Sequence, residues 1–399
     1  MLTNFNASTN LAYSNQVLNQ YKSEEFRFSW LRLARTCNVG PKTFFELMKM
    51  YGDPQEAINN ISVLARRGGA KDKKLVPSKD KIEKEIEDSI KCNARIILSC
   101  EKDYPKILTC IADFPPVLIV KGNAKLLNRH KFAIVGGRNS TINGNKLSHQ
   151  FAKEISDAGY VIVSGLAKGI DAYAHKGSLN NGTIAVIAGG INHIYPKENA
   201  KLYEEIYEKG IVITEQPIHL AVLAQHFPQR NRIIAGLGLG VLVVEASKKS
   251  GTLITTRFAL DYNREVYAIP GSPLDFKSEG TNNLLKQGAN IALSSDDIIR
   301  DLHKIAQQRT SFASDKPLMF MDKSLKNIPS DAELSLHRDK LVQALSHSPI
   351  LIDDIVRQLE IPIKILNCLL VELELAGKIC RLAGNKVCLI GKHFEDHGV

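Results

Sequence analysis

Seven short apolar runs set the pattern of the middle of the chain: Phe132-Ala-Ile-Val, Val161-Ile-Val, Ile184-Ala-Val-Ile, Ile211-Val-Ile, Val241-Leu-Val-Val, Val266-Tyr-Ala-Ile and a weaker Asn290-Ile-Ala-Leu. They are rich in β-branched residues and do not alternate with polar ones, the pattern of strands buried on both faces. Most close on small or polar residues, as at Gly136-Gly-Arg138, Ser164-Gly165, Ala188-Gly-Gly190 and Glu245-Ala-Ser247. Stretches of helical period, such as Gly144 to Ala158 and Asn199 to Lys209, lie between them. Strand and helix in alternation predict an α/β fold with a doubly wound parallel sheet, and ligands of such sheets gather beyond the carboxyl ends of the strands.

The pattern changes on either side. Residues 1–22 are rich in Asn and Ser and read as a flexible tail. Over 23–92 the period becomes helical, with Trp30, Leu31 and Leu33 before Val39-Gly-Pro41 and Phe44, Phe45 and Leu47 after it. This helix-hairpin-helix unit either offers backbone N–H groups to a phosphate or is a small packing domain. The central domain is placed at 93–305, followed by a linker over 306–335 that loses periodicity. Over 336–399, helices at Asp339–Ser346, Ile352–Leu359 and Pro362–Ala376, then a hairpin turning at Ala383-Gly-Asn385, outline a winged helix. Its third helix is apolar and offers base edges little beyond Asn367, so protein contact is the default there.

A net charge of +10 favours a polyanionic partner. Seven scattered cysteines, without C-x-x-C or zinc spacing, are read as reduced thiols, with no metal site or disulfide. No apolar run reaches membrane-spanning length and the first residues lack a signal pattern, so a cytoplasmic protein is expected.

Candidate chemistry falls in four loops. Gly136-Gly137-Arg138, between strand and helix, allows backbone amides and a fixed cation to cradle a phosphate. Ser164-Gly165 with Lys168 and Gly169 repeats that logic, followed by Asp171 as a cap or a partner of Lys168, and His175 as a packed histidine. Phe227-Pro-Gln-Arg-Asn-Arg232 is read as a turn in which Arg230 and Arg232 fork onto phosphates, Asn231 adds an amide and Phe227 a stacking face. Lys248, Lys249 and Ser250 form the fourth loop, after Glu245, which is expected to brace Arg230 or Arg232. Gly236-Leu-Gly-Leu-Gly240 precedes its strand and so is not a dinucleotide fingerprint.

Together these loops resemble the DprA/Smf family of DNA-processing proteins. The motifs are Val135-Gly-Gly-Arg138, Ser164-Gly-Leu-Ala-Lys-Gly-Ile-Asp171, Tyr195-Pro-Lys-Glu-Asn199, Phe227-Pro-Gln-Arg-Asn-Arg-Ile-Ile-Ala-Gly236, Glu245-Ala-Ser-Lys-Lys-Ser-Gly-Thr252 and Pro270-Gly-Ser272. Gly137 stands where the family often has Ser, and Gly238 at another usual Ser position. The resemblance implies an extended Rossmann domain between a SAM-like helical domain and a winged helix. It implies binding of single-stranded DNA, usually as a dimer through that domain, and delivery of the strand to RecA. Onto this chain it carries a DNA pocket at Arg138, Lys168, Lys197, Phe227, Arg230, Asn231, Arg232, Lys248 and Lys249, with no catalytic residue and no cofactor. The expectation is a non-enzymatic mediator of natural transformation or recombination. The alternative is a nucleotide phosphoribohydrolase-like enzyme, whose P-G-G-x-G-T motif and following glutamate have no counterpart in Ser250–Arg257.

Overall fold

The computed structural model describes residues 23–71, 75–310, 329–382 and 384–390. The expected tail at 1–22, the greater part of the expected linker and Ala383 of the hairpin turn lie outside them.

The N-terminal helices are α1 (Glu24–Ala34), α2 (Pro41–Tyr51), α3 (Pro54–Arg67) and α4 (Lys79–Lys91). Ser23 caps α1 by accepting from the Phe26 N–H at 3.1 Å, and Asp53 caps α3 from Gln55 and Glu56. Pro41 and Pro54 open their helices, where the missing N–H costs nothing. Trp30, Leu33, Phe44, Leu47 and Ile61 are fully buried, with the Trp30 and Phe44 rings 4.8 Å apart.

Next come β1 (Ala94–Leu98), β2 (Val117–Gly122), β3 (Lys131–Val135), α5 (Ile142–Asp157), β4 (Val161–Ser164), α6 (Ile170–Ser178), β5 (Thr183–Val186), α7 (Ala200–Lys209) and β6 (Ile211–Thr214). They are followed by α8 (His226–Leu237), β7 (Gly240–Val243), α9 (Thr252–Asp261), β8 (Glu265–Ala268), α10 (Glu279–Lys286), β9 (Asn290–Ile291) and α11 (Ser295–Thr310). Their sheet has the order β1-β2-β6-β5-β4-β3-β7-β8-β9. From β6 to β9 it is parallel, whereas β1 and β2 extend one edge antiparallel. The doubly wound sheet is thus mixed at one margin.

Residues of β3 through β7 are buried throughout, as their unalternated runs require. Phe132, Ile134, Ile162 and Leu242 meet Phe151 and Ile155 of α5, Ile170 of α6 and Ile298 and Leu302 of α11. Helices α8 and α9 pack along β3–β5 and β7–β8, covering the residues that alternate with these. Successive strands run outward in both directions from β3: β4 lies on one side and β7 on the other. That reversal opens a crevice at the carboxyl ends of the strands.

The last elements are α12 (Asp331–Ala344), β10 (Ile350–Leu351), α13 (Ile352–Leu359), α14 (Ile363–Leu375), β11 (Ile379–Leu382) and β12 (Lys386–Leu389). The stretch expected as linker is helical at both described ends, since α11 runs to Thr310 and α12 begins at Asp331. A Ser330–Glu333 capping box explains that early start.

The chain divides into two units, one built from Glu85–Asp315 and one from both ends, up to Lys84 and from Lys316 onward. In the two-ended unit, α14 lies against α2 and α3. The Asn38 amide donates to the Leu375 carbonyl at 3.1 Å, and Met50 joins the core formed by Leu366, Leu369 and Leu373. Two carboxylates sit at this junction, Glu372 buried and Glu374 partly buried. Glu372 accepts from Arg338 at 2.9 Å, and Glu374 accepts from Thr43 and pairs with Arg381 at 3.0 Å. Burial pushes both carboxyls upward, and their arginine partners oppose that shift. The apolar third helix of the winged helix therefore has its protein partner within the chain.

Candidate nucleic-acid interface

The loops that follow β3, β4 and β5 meet the start of α8 around a small cleft. Arg138, Gly165, Ala167, Lys168, Tyr195, Pro196, Phe227 and Arg230 line it. The lining carries cations and aromatic rings but no carboxylate.

Phe227–Arg232 is not a turn but the beginning of helix α8. Pro228 sits in its first turn, where no backbone hydrogen bond is lost. The helix separates the two arginines. Phe227 and Arg230, three residues apart, share the cleft face, while Arg232 lies about 200° further round.

Arg230 is buried, and its Nη1 donates to the Gly165 carbonyl at 2.6 Å and to that of Val186. Its Nε has no hydrogen-bond partner among the described residues. Burial pulls its pKa down to about 10, opposed by the nearby Asp171 carboxylate. Asp171 accepts from the N–H groups of Gly165 at 3.1 Å and Ala167 at 3.4 Å. Burial raises its pKa, with Arg230 and these amides holding it down in part. A Cβ at position 165 would lie 2.7 Å from Arg230 Nη1 and 2.8 Å from Asp171, so the loop needs glycine there. Arg230 thus shapes the cleft floor, with its Nη1 committed to two loop carbonyls.

Arg232 is buried elsewhere, paired with Glu215 and donating to the Asp113 carbonyl at 2.6 Å. Burial alone would lower its pKa, but Glu215 and Asp113 outweigh it and leave it raised. It does not line the cleft, and neither does Asn231. Glu245 braces neither arginine. It accepts from the Thr141 N–H at 2.9 Å and from the Thr141 hydroxyl, while Thr141 caps α5 by accepting from Gly144 N–H at 2.8 Å. This cap fixes the Gly136–Thr141 loop, and the Gly137 N–H donates to the Glu245 carbonyl at 2.8 Å.

The exposed guanidinium of Arg138 lies 4.8 Å from the centre of the Phe227 ring. Tyr195 packs against the same ring at 5.6 Å, tilted by 56°. Phe227 is therefore flanked by a cation and a second aromatic side chain. Tyr195 opens the Tyr195–Asn199 motif, and nothing local in the sequence marks it as a partner of Phe227. Lys168 is exposed and pairs with Glu198 at 2.6 Å, so Asp171 does not orient it. Asn199 secures the Lys168 loop from below, donating to the Leu166 carbonyl at 2.9 Å and to that of Ala167 at 3.2 Å.

Lys197, Lys248 and Lys249 are exposed, and Ser250 is half-buried, its hydroxyl bonded to Thr252 at 3.0 Å. Gly136 and Ser164 are buried, and Ser164 donates to the Ile134 carbonyl at 2.6 Å. His175 is packed as expected. Thr183 donates to the Ile162 carbonyl, so His175 Nδ1 carries the proton it gives to the Thr183 hydroxyl at 2.8 Å. Burial, and then Arg230, lower its pKa to about 3.

The family described as "DNA recombination-mediator protein A" matches residues 95–303, just over half the chain and all of the cleft. The chain belongs to the DprA/Smf family. The DprA-like N-terminal HHH domain matches residues 24–87 and the DprA winged helix domain 327–385. The DNA processing protein DprA of Bacillus subtilis is 46% identical over 204 residues, covering 50% of this chain and 69% of that one. Protein Smf of Escherichia coli is 35% identical over 300 residues, covering 74% and 78%. The X-ray structure of DNA processing protein A (DprA) from Streptococcus pneumoniae superimposes with a TM-score of 0.54 at 36% identity, covering 62% of this chain and 82% of that one.

Proposed function

We propose that this DprA/Smf family member is a non-enzymatic, cytoplasmic mediator that binds single-stranded DNA in the cleft and passes the strand to RecA, acting as a homodimer through its central domain. The observation that carries this reading is the Arg138–Phe227–Tyr195 group at the mouth of a carboxylate-free cleft. An aromatic surface beside cations suits an unpaired base with its phosphate, independent of sequence. Lys168, Lys197, Lys248 and Lys249, exposed on neighbouring loops, supply charge for the backbone. Lys168 would exchange Glu198 for a phosphate at little cost, because both side chains are at the surface. Arg230, Asp171 and Asn199 act beneath, fixing the loop carbonyls and amides.

Fluorescence anisotropy with labelled oligothymidylate tests the reading. Arg138→Ala should weaken binding by roughly tenfold, losing one phosphate contact and the cover on Phe227. Equal affinity for single strands and duplex, or full affinity in this variant, would overturn it. Stimulation of RecA filament assembly by the intact protein, lost in Arg138→Ala, is the corresponding test of delivery.

A further inference from the structure

Beyond the cleft, the loop following β8 carries an aromatic side chain and a cation, Phe276 and Lys277, that the assigned site leaves out. Phe276 is 65% exposed and Leu274 97% exposed, on a loop (residues 269–278) whose strand is buried from Val266 to Ala268. The loop is ordered by its own bonds. The Asp275 N–H donates to the Ser272 carbonyl at 3.0 Å, Ser278 N–H to that of Asp275 at 2.9 Å, and the Asp275 carboxylate takes the Lys277 N–H at 2.9 Å. The Asn282 side chain holds both the N–H and the carbonyl of Gly271.

This loop is also clipped to its neighbour. The Ala246 N–H donates to the Lys277 carbonyl at 2.9 Å, and Gly280 N–H to the Ala246 carbonyl at 2.7 Å. The neighbour carries Lys248 and Lys249 and is joined in turn to the Arg138 loop through Glu245. Three loops on adjacent parallel strands β3, β7 and β8 therefore form one continuous ledge. At the usual strand spacing, the β8 loop stands about 10 Å from the β3 loop.

We propose that Phe276 is a second stacking platform for single-stranded DNA, with Lys277, Lys248 and Lys249 holding the backbone that leads to it from the cleft. This rests on reading the cleft as a single-strand site. The occupant follows from the chemistry of the ledge. Lys277 Nζ lies 5.8 Å from the Phe276 ring centre, repeating the cation-beside-ring arrangement of Arg138 and Phe227. Lys248 and Lys249 lie on the loop between the two rings, and the Asp275 carboxylate is turned into its own loop. Glu279, in the first turn of α10, is the exposed carboxylate alongside. A strand with bases at both rings and phosphates over the lysines meets charge of the right sign along its path.

The test measures anisotropy of the full-length protein with oligothymidylates of about 5 and about 20 nucleotides, bracketing the site sizes of single-strand binders. Phe276→Ala should weaken the longer oligomer by about fivefold or more and leave the shorter one, which fills only the cleft, unchanged. Phe276→Trp should retain the longer oligomer's affinity, and Arg138→Ala should weaken both lengths. If Phe276→Ala binds both lengths like the parent while Arg138→Ala does not, the extension is wrong and the cleft reading stands. If that variant instead loses self-association at full DNA affinity, the loop belongs to a second copy and the proposal is overturned. Failure of the parent protein to bind either length removes the cleft reading and this one together.

Discussion

Arg230 and Arg232 differ by two positions and by the whole of their surroundings. Arg230 reaches two carbonyls and faces the buried Asp171, whereas Arg232 is held by Glu215 and Asp113. Arg230→Ala leaves Asp171 buried without its counter-charge, so unfolding followed by circular dichroism in urea should show a loss of about 3–5 kcal/mol. His175 gives a pH signature of the same neighbourhood. Its pKa falls from the ordinary 6.5 to about 3 on folding, because the imidazolium would be buried beside Arg230. Below pH 6.5 the unfolded chain takes up a proton that the folded chain refuses, so stability is lost as pH falls. Relative to His175→Gln, the parent should lose about 1.4 kcal/mol per pH unit between these two values and nothing above them. A flat difference would place His175 in contact with solvent.

At the scale of elements, Glu245 at the end of β7 fixes the cap of α5 through Thr141, and Gly144 lies against the same carboxylate. A methyl group at Gly144 overlaps a carboxylate that Thr141 holds in place, so Gly144→Ala should destabilise the protein by about 1–3 kcal/mol. Glu245→Ala removes the obstacle as well as the cap. The double variant should then be more stable than the sum of the single effects by at least about 0.5 kcal/mol, measured in denaturant. This scale also shows where the sequence was legible. Apolar runs such as Phe132–Val135 and Val241–Val244 announced strands because a strand buried on both faces has no polar alternation to mislead. Phe227–Arg232 reads as a turn because Pro228 and its polar neighbours carry loop composition, yet a helix start tolerates both. Strand β2 (Val117–Gly122) lies outside the seven runs, and its antiparallel place beside β6 depends on pairing that no local pattern encodes. The same holds for Tyr195 and for the partner of Glu245, which are brought to the site by strands distant in sequence.

At the scale of the whole molecule, the helices at the two ends of the chain share one unit, and Trp30 is the chain's one tryptophan. Its fluorescence therefore reports on that unit alone. Ending the chain before Asp331 uncovers the face of α2 and α3 that receives α14 and leaves Thr43 without Glu374. The Trp30 denaturation midpoint should fall, while the circular dichroism transition of the central unit stays in place. Coincident midpoints in both chains would show that the N-terminal helices are stable without the winged helix.

The buried junction at Glu372 and Glu374 also sets an order of events during synthesis. Helices α2 and α3 leave the ribosome first, but the helix that completes their packing follows about 300 residues later, which at typical elongation rates is roughly 15 to 60 seconds. Through that interval Thr43 and Met50 stay in water, and the central sheet folds as an insertion between two halves of a unit still waiting to close. A circular permutant that begins near Lys316 would bring the halves together in sequence and abolish the wait.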